Sequence, residues 1–497
     1  MLEKLRQIDW SSLKTILLFG LIIRLIAVVF SEGYGMHDDH FLVIEAAGSW
    51  ADGFDYNHWL PWTADNTGNP EGHSFTYVGI NFLLISFCKL LGMADPKMIM
   101  LVNRLIHALF SLLVIKYGFK ITEKISDRKT AVTAAWLLAG LWAFPWLSVR
   151  NLVEMASIPF LMWGIWLALK DGKKSLLFYS GMLIGIAISF RYQIAVFAVG
   201  MGIVFLFRAQ WNKLILLTAG VVVTFLITQG IVDYCIWGYP FAEFTAYVIY
   251  NMNEGTGYLT NSNYFMYFYV LFGVLLFPLG ILALIGFFNS AKKQWFLFLP
   301  TFLFILFHSI FPNRQERFIL TVLPIVIVLS VVGYDYLRTR NFWNKAWKFS
   351  WIAFWVLNIP MILLFATAPS KKSRVNAMYA IYGKAKGNEH ILLEATGESS
   401  PELMPKFYAG NWHFTFSERR EDTLDMHSYD SLPPFGYIFF FGQKNLQSRI
   451  KEVKALYPDM TKEAAVLPSF IDKTLNGINP RNSNTYIEIW KAGRRVS

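Results

Sequence analysis

Ser31-Glu32-Gly33-Tyr34-Gly35-Met36-His37-Asp38-Asp39-His40-Phe41 follows directly on an apolar run from Ile16 to Phe30. A membrane-length segment that ends in paired acids decides how the rest of the chain is read. Similar runs recur at Leu214–Ile231, Phe265–Phe288 and Phe318–Val332, and all approach or exceed the roughly 20 apolar residues that cross a bilayer. Of the 497 residues, 55% are hydrophobic and 16% charged. Soluble domains carry about a quarter charged residues, so the chain reads as a polytopic helical membrane protein. The first run reads as a retained span, because Arg24 interrupts it and no small-residue cleavage pattern follows.

Spans are expected at 13–31, 97–118, 130–147, 152–170, 175–190, 192–208, 213–236, 264–287, 294–311, 317–337 and 347–367. That is about eleven transmembrane helices. The apolar stretch 75–92 is taken as a helix lying on or dipping into the membrane, and charge decides this. If it does not cross, Lys4, Arg6 and Lys14 share a side with the basic clusters at 116–129, 170–174, 208–213, 292–293 and 338–348. The positive-inside rule makes that side cytoplasmic. The net charge of +11 is therefore explained by topology, with no nucleic-acid partner.

The other side receives the 32–96 loop with Asp38, Asp39, Glu45, Asp52, Asp55, Asp65 and Glu71, and the turn at Arg150-Asn151 with Glu154. It also receives Arg191, the 237–263 loop and Phe311–Phe318. The division expected is a transmembrane domain over 1–368 and an extracytoplasmic soluble α/β domain over 369–497. Strand-like runs in the latter lie at His390–Glu394, Tyr437–Phe441 and Tyr486–Trp490. Cys88 and Cys235 both sit in apolar surroundings, which excludes a disulfide framework. The absence of Asn-X-Ser/Thr sequons favours a bacterial plasma membrane.

Four groups of residues carry candidate chemistry. In Asp38-Asp39-His40-Phe41, with Glu45 further along, one acid can deprotonate an attacking hydroxyl while its neighbour orients it. The structural alternative is a helix N-terminus that favours Asp. A divalent metal held by His37, Asp38, Asp39 and His40 is a weaker reading, since four consecutive residues cannot all face one ion. In His308 through Phe318, Arg314 and Arg317 suit a lipid-linked phosphate or diphosphate, because guanidinium forks match phosphate oxygens. Their alternative is snorkelling at span ends. Among charges at span ends, Arg191 can reach a phosphate or a carbonyl, and Arg150 and Glu154 are expected to pair with each other at four-residue spacing. The aromatic and amide residues from Trp237 to Tyr264 suit a sugar site, but on composition alone they read as an interfacial belt.

The order of these elements resembles the GT-C glycosyltransferases, in particular the dolichyl-phosphate-mannose-dependent mannosyltransferases of glycosyltransferase family 22. Their first-loop motif, roughly Pro-Asp-Glu-x-Phe-Gln-x-x-Glu, matches His37-Asp38-Asp39-His40-Phe41-Leu42-Val43-Ile44-Glu45. Their later motif, roughly His-Lys-Glu-Glu-Arg-Phe, matches Asn313-Arg314-Gln315-Glu316-Arg317-Phe318. The resemblance covers roughly 10–340 and departs at His37, Asp39, Leu42 and Asn313. It implies Asp38 as the catalytic base with Asp39 second, and Arg314, Arg317, His308 and Arg191 on the donor phosphate. His40, Glu45, Tyr250, Asn251 and Glu316 would meet the acceptor or the sugar. The implied reaction is an inverting transfer of a mannose-like sugar from a polyprenyl-phosphate donor to a glycan or lipid-linked acceptor, with no metal or other cofactor required. The alternatives are a same-fold enzyme acting on protein or lipid A, and a polyprenyl-linked glycan transporter. A transporter is expected to show repeat halves and midplane charges, and the sequence shows neither.

Overall fold

The computed structural model describes residues 9–63, 69–253, 263–385, 387–398, 403–420, 433–478 and 485–495. Lys4, Arg6, Asp65 and residues 254–262 of the 237–263 loop lie outside these. Helices form on the apolar stretches and over Phe75–Leu90, but the expected spans 130–147 and 264–287 are each broken, into Arg128–Gly140 with Ala143–Ser148 and into Met266–Gly273 with Leu279–Ser290. Leu13–Phe30, Pro96–Ile125, Trp211–Trp237, Glu316–Asp335 and Asn341–Ala366 are long and apolar enough to cross a membrane. Leu279–Ser290 and Trp295–Ile310 pass the same test as a pair bent by 119°. Val153–Leu169, Ser175–Phe190 and Tyr192–Phe207 are equally apolar but shorter. The protein is a polytopic helical membrane protein with a small C-terminal sheet domain.

The chain divides into two compact units, the first comprising residues 1–29, 58–80 and 103–367. Leu323–Asp335 is buried along almost its whole length and packs between Leu279–Ser290 and Arg128–Gly140. Small residues allow the close approach. A side chain at Gly333 would meet the Gly286 carbonyl, and one at Gly286 would meet the Ser330 carbonyl. Such contacts suit a bilayer, where helices associate by packing and polar bonds rather than by the hydrophobic effect. Arg24 shows how this unit carries an intramembrane charge. Its guanidinium donates to Ser111 Oγ at 2.9 Å and to the carbonyls of Gly20, Ala139 and Leu138 at 3.0, 3.1 and 3.3 Å.

The second unit comprises residues 30–57, 81–102 and 368–497. Its sheet has β1 (His390–Glu394), β2 (Thr415–Arg419), β3 (Phe435–Phe441), β4 (Thr461–Val466) and β5 (Ile487–Lys491), in the order β2-β1-β3-β5-β4. The first three strands are parallel, and β5 runs antiparallel to both β3 and β4. Helix Leu446–Leu456 covers one face and buries Ile450 and Val453 with Ile438 and Phe440. The first loop is built into this unit. Gly33 pairs with Ser370 as a β-bridge, Trp412 Nε1 donates to Asp52, and Tyr379 Oη donates to Asp95.

Candidate active site

In the second unit, Met36 is extended and a short helical turn begins at His37. The turn runs into a π-helix over His40–Glu45 and then an α-helix over Ala46–Ala51. A π-turn brings residues five apart together, a distortion common at functional sites. His40 Nε2 lies 3.0 Å from Glu45 Oε1, and both side chains are shut off from solvent. The Glu45 carboxylate also accepts the Phe407 backbone N–H at 3.1 Å. The His40 ring is stacked between Tyr34 at 4.4 Å and Tyr408 at 5.7 Å. These contacts engage His40 and Glu45, both expected at the acceptor or the sugar, with residues of the tail. They lock the loop to the tail and leave His40 Nδ1 buried with no hydrogen-bond partner among the described residues.

The two adjacent acids are placed differently. Asp38 has a side chain 52% exposed and 4.0 Å from His37, whereas Asp39 is buried. The His37 ring packs on Phe41 at 4.4 Å. Among the described residues, no three His, Cys, Asp or Glu side chains gather as a metal-binding group.

In the first unit, Arg191 and Arg317 both approach the carboxylate of Glu154. Glu154, fully buried, lies in the first turn of Val153–Leu169, where the helix dipole favours an acid. Arg191 interrupts the helix between Phe190 and Tyr192 with an extended backbone, and its Nη1 lies 3.0 Å from Glu154. Arg317, in the 3₁₀ turn Glu316–Val322, reaches the same oxygen at 3.9 Å. The Phe318 ring packs beneath both guanidiniums, at 4.5 Å from Arg191 and 5.6 Å from Arg317. Arg150 is not the partner expected of Glu154. It falls in the break between Ala143–Ser148 and Val153–Leu169, and its guanidinium lies over Trp146 at 4.3 Å.

Arg314 is buried, donates through Nε to the Ser309 carbonyl at 2.8 Å and lies over Tyr264 at 4.4 Å. His308 Nδ1 donates to the Phe304 carbonyl at 2.8 Å, which leaves Nε2 as the acceptor nitrogen in the neutral ring. That Nε2, together with Arg191 Nε and Nη2, is buried with no hydrogen-bond partner among the described residues. Buried polar groups of this kind ask for a partner. Glu316 is exposed at the start of its 3₁₀ turn. Tyr250 is half exposed on Ala242–Asn253, while the Asn251 amide donates back to the Tyr247 carbonyl at 2.8 Å.

That helix is anchored near Arg191 by the hydrogen bond from Gln193 to Tyr247. At its start, Glu243 accepts the backbone N–H groups of Gly72 and His73 at 2.7 and 2.9 Å and Trp237 Nε1 at 2.9 Å. Burial outweighs these donors and pushes its carboxyl up to about 7. Sequence reasoning missed Glu154 and Glu243 as organising residues, because their partners are distant in the chain.

The solved structure of ArnT from Cupriavidus metallidurans in the apo state is similar at TM-score 0.60, with 11% identity over 96% of this chain and 97% of that one. The same protein bound to undecaprenyl phosphate gives 0.61 and 12% over the same shares. AglB, the oligosaccharyltransferase of Archaeoglobus fulgidus in complex with an inhibitory peptide and a dolichol-phosphate, gives 0.51 and 11% over 86% and 69%. A search of curated protein sequences finds no match. The fold is that of the GT-C membrane glycosyltransferases, the class that draws its sugar from a lipid-linked donor. A model of the Alg9-like mannosyltransferase family matches residues 15–392, and the chain belongs to that family. The match runs past the expected limit near residue 340 and into β1.

Proposed function

We propose that this protein transfers a mannose-like hexose, with inversion, from a polyprenyl-phosphate donor to a glycan or lipid-linked acceptor. It would do so at the outer face of a bacterial plasma membrane, with its N-terminus cytoplasmic. One observation carries the reading. Arg191 pairs with the buried carboxylate of Glu154 through Nη1 and keeps Nε and Nη2 buried with no hydrogen-bond partner among the described residues. A phosphate monoanion or dianion would supply the missing acceptors with a complementary charge. ArnT and AglB have been solved with undecaprenyl phosphate and a dolichol-phosphate, respectively, which supports a lipid phosphate here.

In the proposed step the acceptor hydroxyl oxygen attacks the anomeric carbon as its proton passes to the Asp38 carboxylate. The bond from that carbon to the phosphate oxygen breaks, and its electron pair leaves with the lipid phosphate. Arg191, Arg314 and Arg317 hold the charge that develops there, in a site where water is scarce and such interactions count most. His308 Nε2 would accept a hydrogen bond from a sugar hydroxyl or from a protonated phosphate oxygen. Asp39 is the second choice of base, and Tyr250, Asn251 and Glu316 line the approach of acceptor or sugar. No metal is needed to balance this step.

Mass spectrometry of lipid-linked glycans from cells with and without the gene tests the reading. The expected result is loss of one glycan species and accumulation of the form one hexose shorter. An unchanged profile would contradict it.

A further inference from the structure

A cavity of about 840 Å³ opens within the first unit, and none of the candidate active-site residues lines it. It forms where Val153–Leu169 and Tyr192–Phe207 end and where Ser175–Phe190, Trp211–Phe225 and Trp295–Ile310 begin. Three loops send Lys170, Lys173, Lys174, Arg208, Lys213 and Lys293 to its wall. The one carboxylate there, Asp171, is bound by Lys124 from outside the lining. The three helices that start at the cavity add the positive ends of their dipoles.

The positive-inside rule explains why these loops are basic, but not why separate loops should bring their cations around one hollow. Several of the ammonium groups rest on aromatic faces instead of carboxylates: Lys293 on Tyr336 at 4.3 Å, Lys170 on Trp166 at 5.1 Å and Lys213 on Phe205 at 6.0 Å. Cation–π contacts position these groups without neutralising them. Leu177, Phe205, Leu216 and Phe296 supply an apolar part of the lining on helices that lie among the membrane segments. The cavity therefore pairs a phosphate-sized excess of positive charge with an acyl-compatible wall.

We propose that this cavity binds a phosphate diester, supplied by the headgroup of an acidic phospholipid in the leaflet on that side. Basic pockets between membrane helices recognise acidic headgroups in this way. A soluble phosphate shares the charge but would make no use of the apolar wall.

Native mass spectrometry of the purified full-length protein, offered equal phosphatidylglycerol and phosphatidylcholine, tests this. At about a factor of five per cation near the headgroup, the wild type should retain phosphatidylglycerol at least roughly tenfold over phosphatidylcholine. The combined substitution Lys173→Glu, Arg208→Glu and Lys213→Glu should bring retention to parity. The same three positions changed to Gln should lower it in the same direction, which covers the case in which charge reversal prevents folding. Lys345→Glu with Lys348→Glu, outside the cavity, should leave the preference intact. Equal retention of the two lipids by the wild type would overturn the proposal, as would a preference that survives the Gln substitutions. An equal loss in the Lys345/Lys348 protein would reduce the effect to diffuse surface charge and overturn it as well. If excess inorganic phosphate displaces the lipid as readily as soluble glycerophosphoglycerol does, the occupant is a soluble anion and the lipid assignment fails.

Discussion

Arg191 and Glu154 form an ion pair at 3.0 Å, with the carboxylate wholly buried and Arg317 reaching the same oxygen at 3.9 Å. Glu154 is therefore proposed as a positioning residue, its carboxylate within reach of both guanidiniums.

Glu154→Gln should destabilise the ligand-free protein by roughly 3–5 kcal/mol, the usual cost of stripping one partner from a buried pair. Polyprenyl phosphate should then raise the thermal midpoint of the variant more than it raises that of the wild type, because it replaces the lost charge. Thermal unfolding with and without the lipid reads both effects. An unchanged midpoint together with an equal ligand shift would remove Glu154 from this role.

Replacing Arg314 and Arg317 together with Ala should weaken polyprenyl-phosphate binding by about a hundredfold, at roughly 1.5–3 kcal/mol for each hydrogen bond to a charged group. Arg317→Lys should recover part of the charge but not the planar fork, and should bind between the two. Equal affinities for the three proteins, measured by lipid competition, would refute the assignment.

The helices were legible because runs of apolar residues near membrane length have few other uses, and a helix lies on each such run. The strands divide by position in the sheet. β1, β3 and β5 occupy its interior and read as apolar runs, whereas β2 (Thr-Phe-Ser-Glu-Arg) and β4 (Thr-Lys-Glu-Ala-Ala-Val) lie at its edges, half solvated and polar. The site was legible only in part. Arg314 and Arg317 stand out because the topology expected from the sequence sets them on the face where cations should be rare, but the spacing of Arg150 and Glu154 misleads. The four-residue rule holds within a helix, and the chain breaks its helix between them. His40 and Glu45 meet through a π-turn, a register that α-helical spacing does not anticipate.

Glu45→Gln should loosen the attachment of the first loop to the tail, since the carboxylate holds both His40 and the Phe407 N–H. A loss of about 1–3 kcal/mol is expected from a buried group left partly unsatisfied. Faster limited proteolysis within 30–57 or 403–414 would report it. Proteolysis at the wild-type rate would mean that the stacked Tyr34 and Tyr408 suffice alone.

Glu243 predicts a pH dependence. Its folded pKa of about 7 lies above the ordinary carboxyl value of 4.5, so the fold prefers the protonated form. Its contribution is complete below about pH 4.5 and is lost as pH rises through 7, at roughly 1.4 kcal/mol per unit of separation. Subtracting the stability profile of Glu243→Gln from that of the wild type should show a decline confined to this window. A flat difference would mean that Glu243 folds in its ionised form.

The central claim is that Asp38 removes the acceptor proton. Sugar transfer by folded Asp38→Asn, assayed with a polyprenyl-phosphate hexose donor, tests it most directly. The rate should fall by about a hundredfold to ten-thousandfold while donor binding stays at the wild-type level. Turnover at the wild-type rate would contradict the assignment.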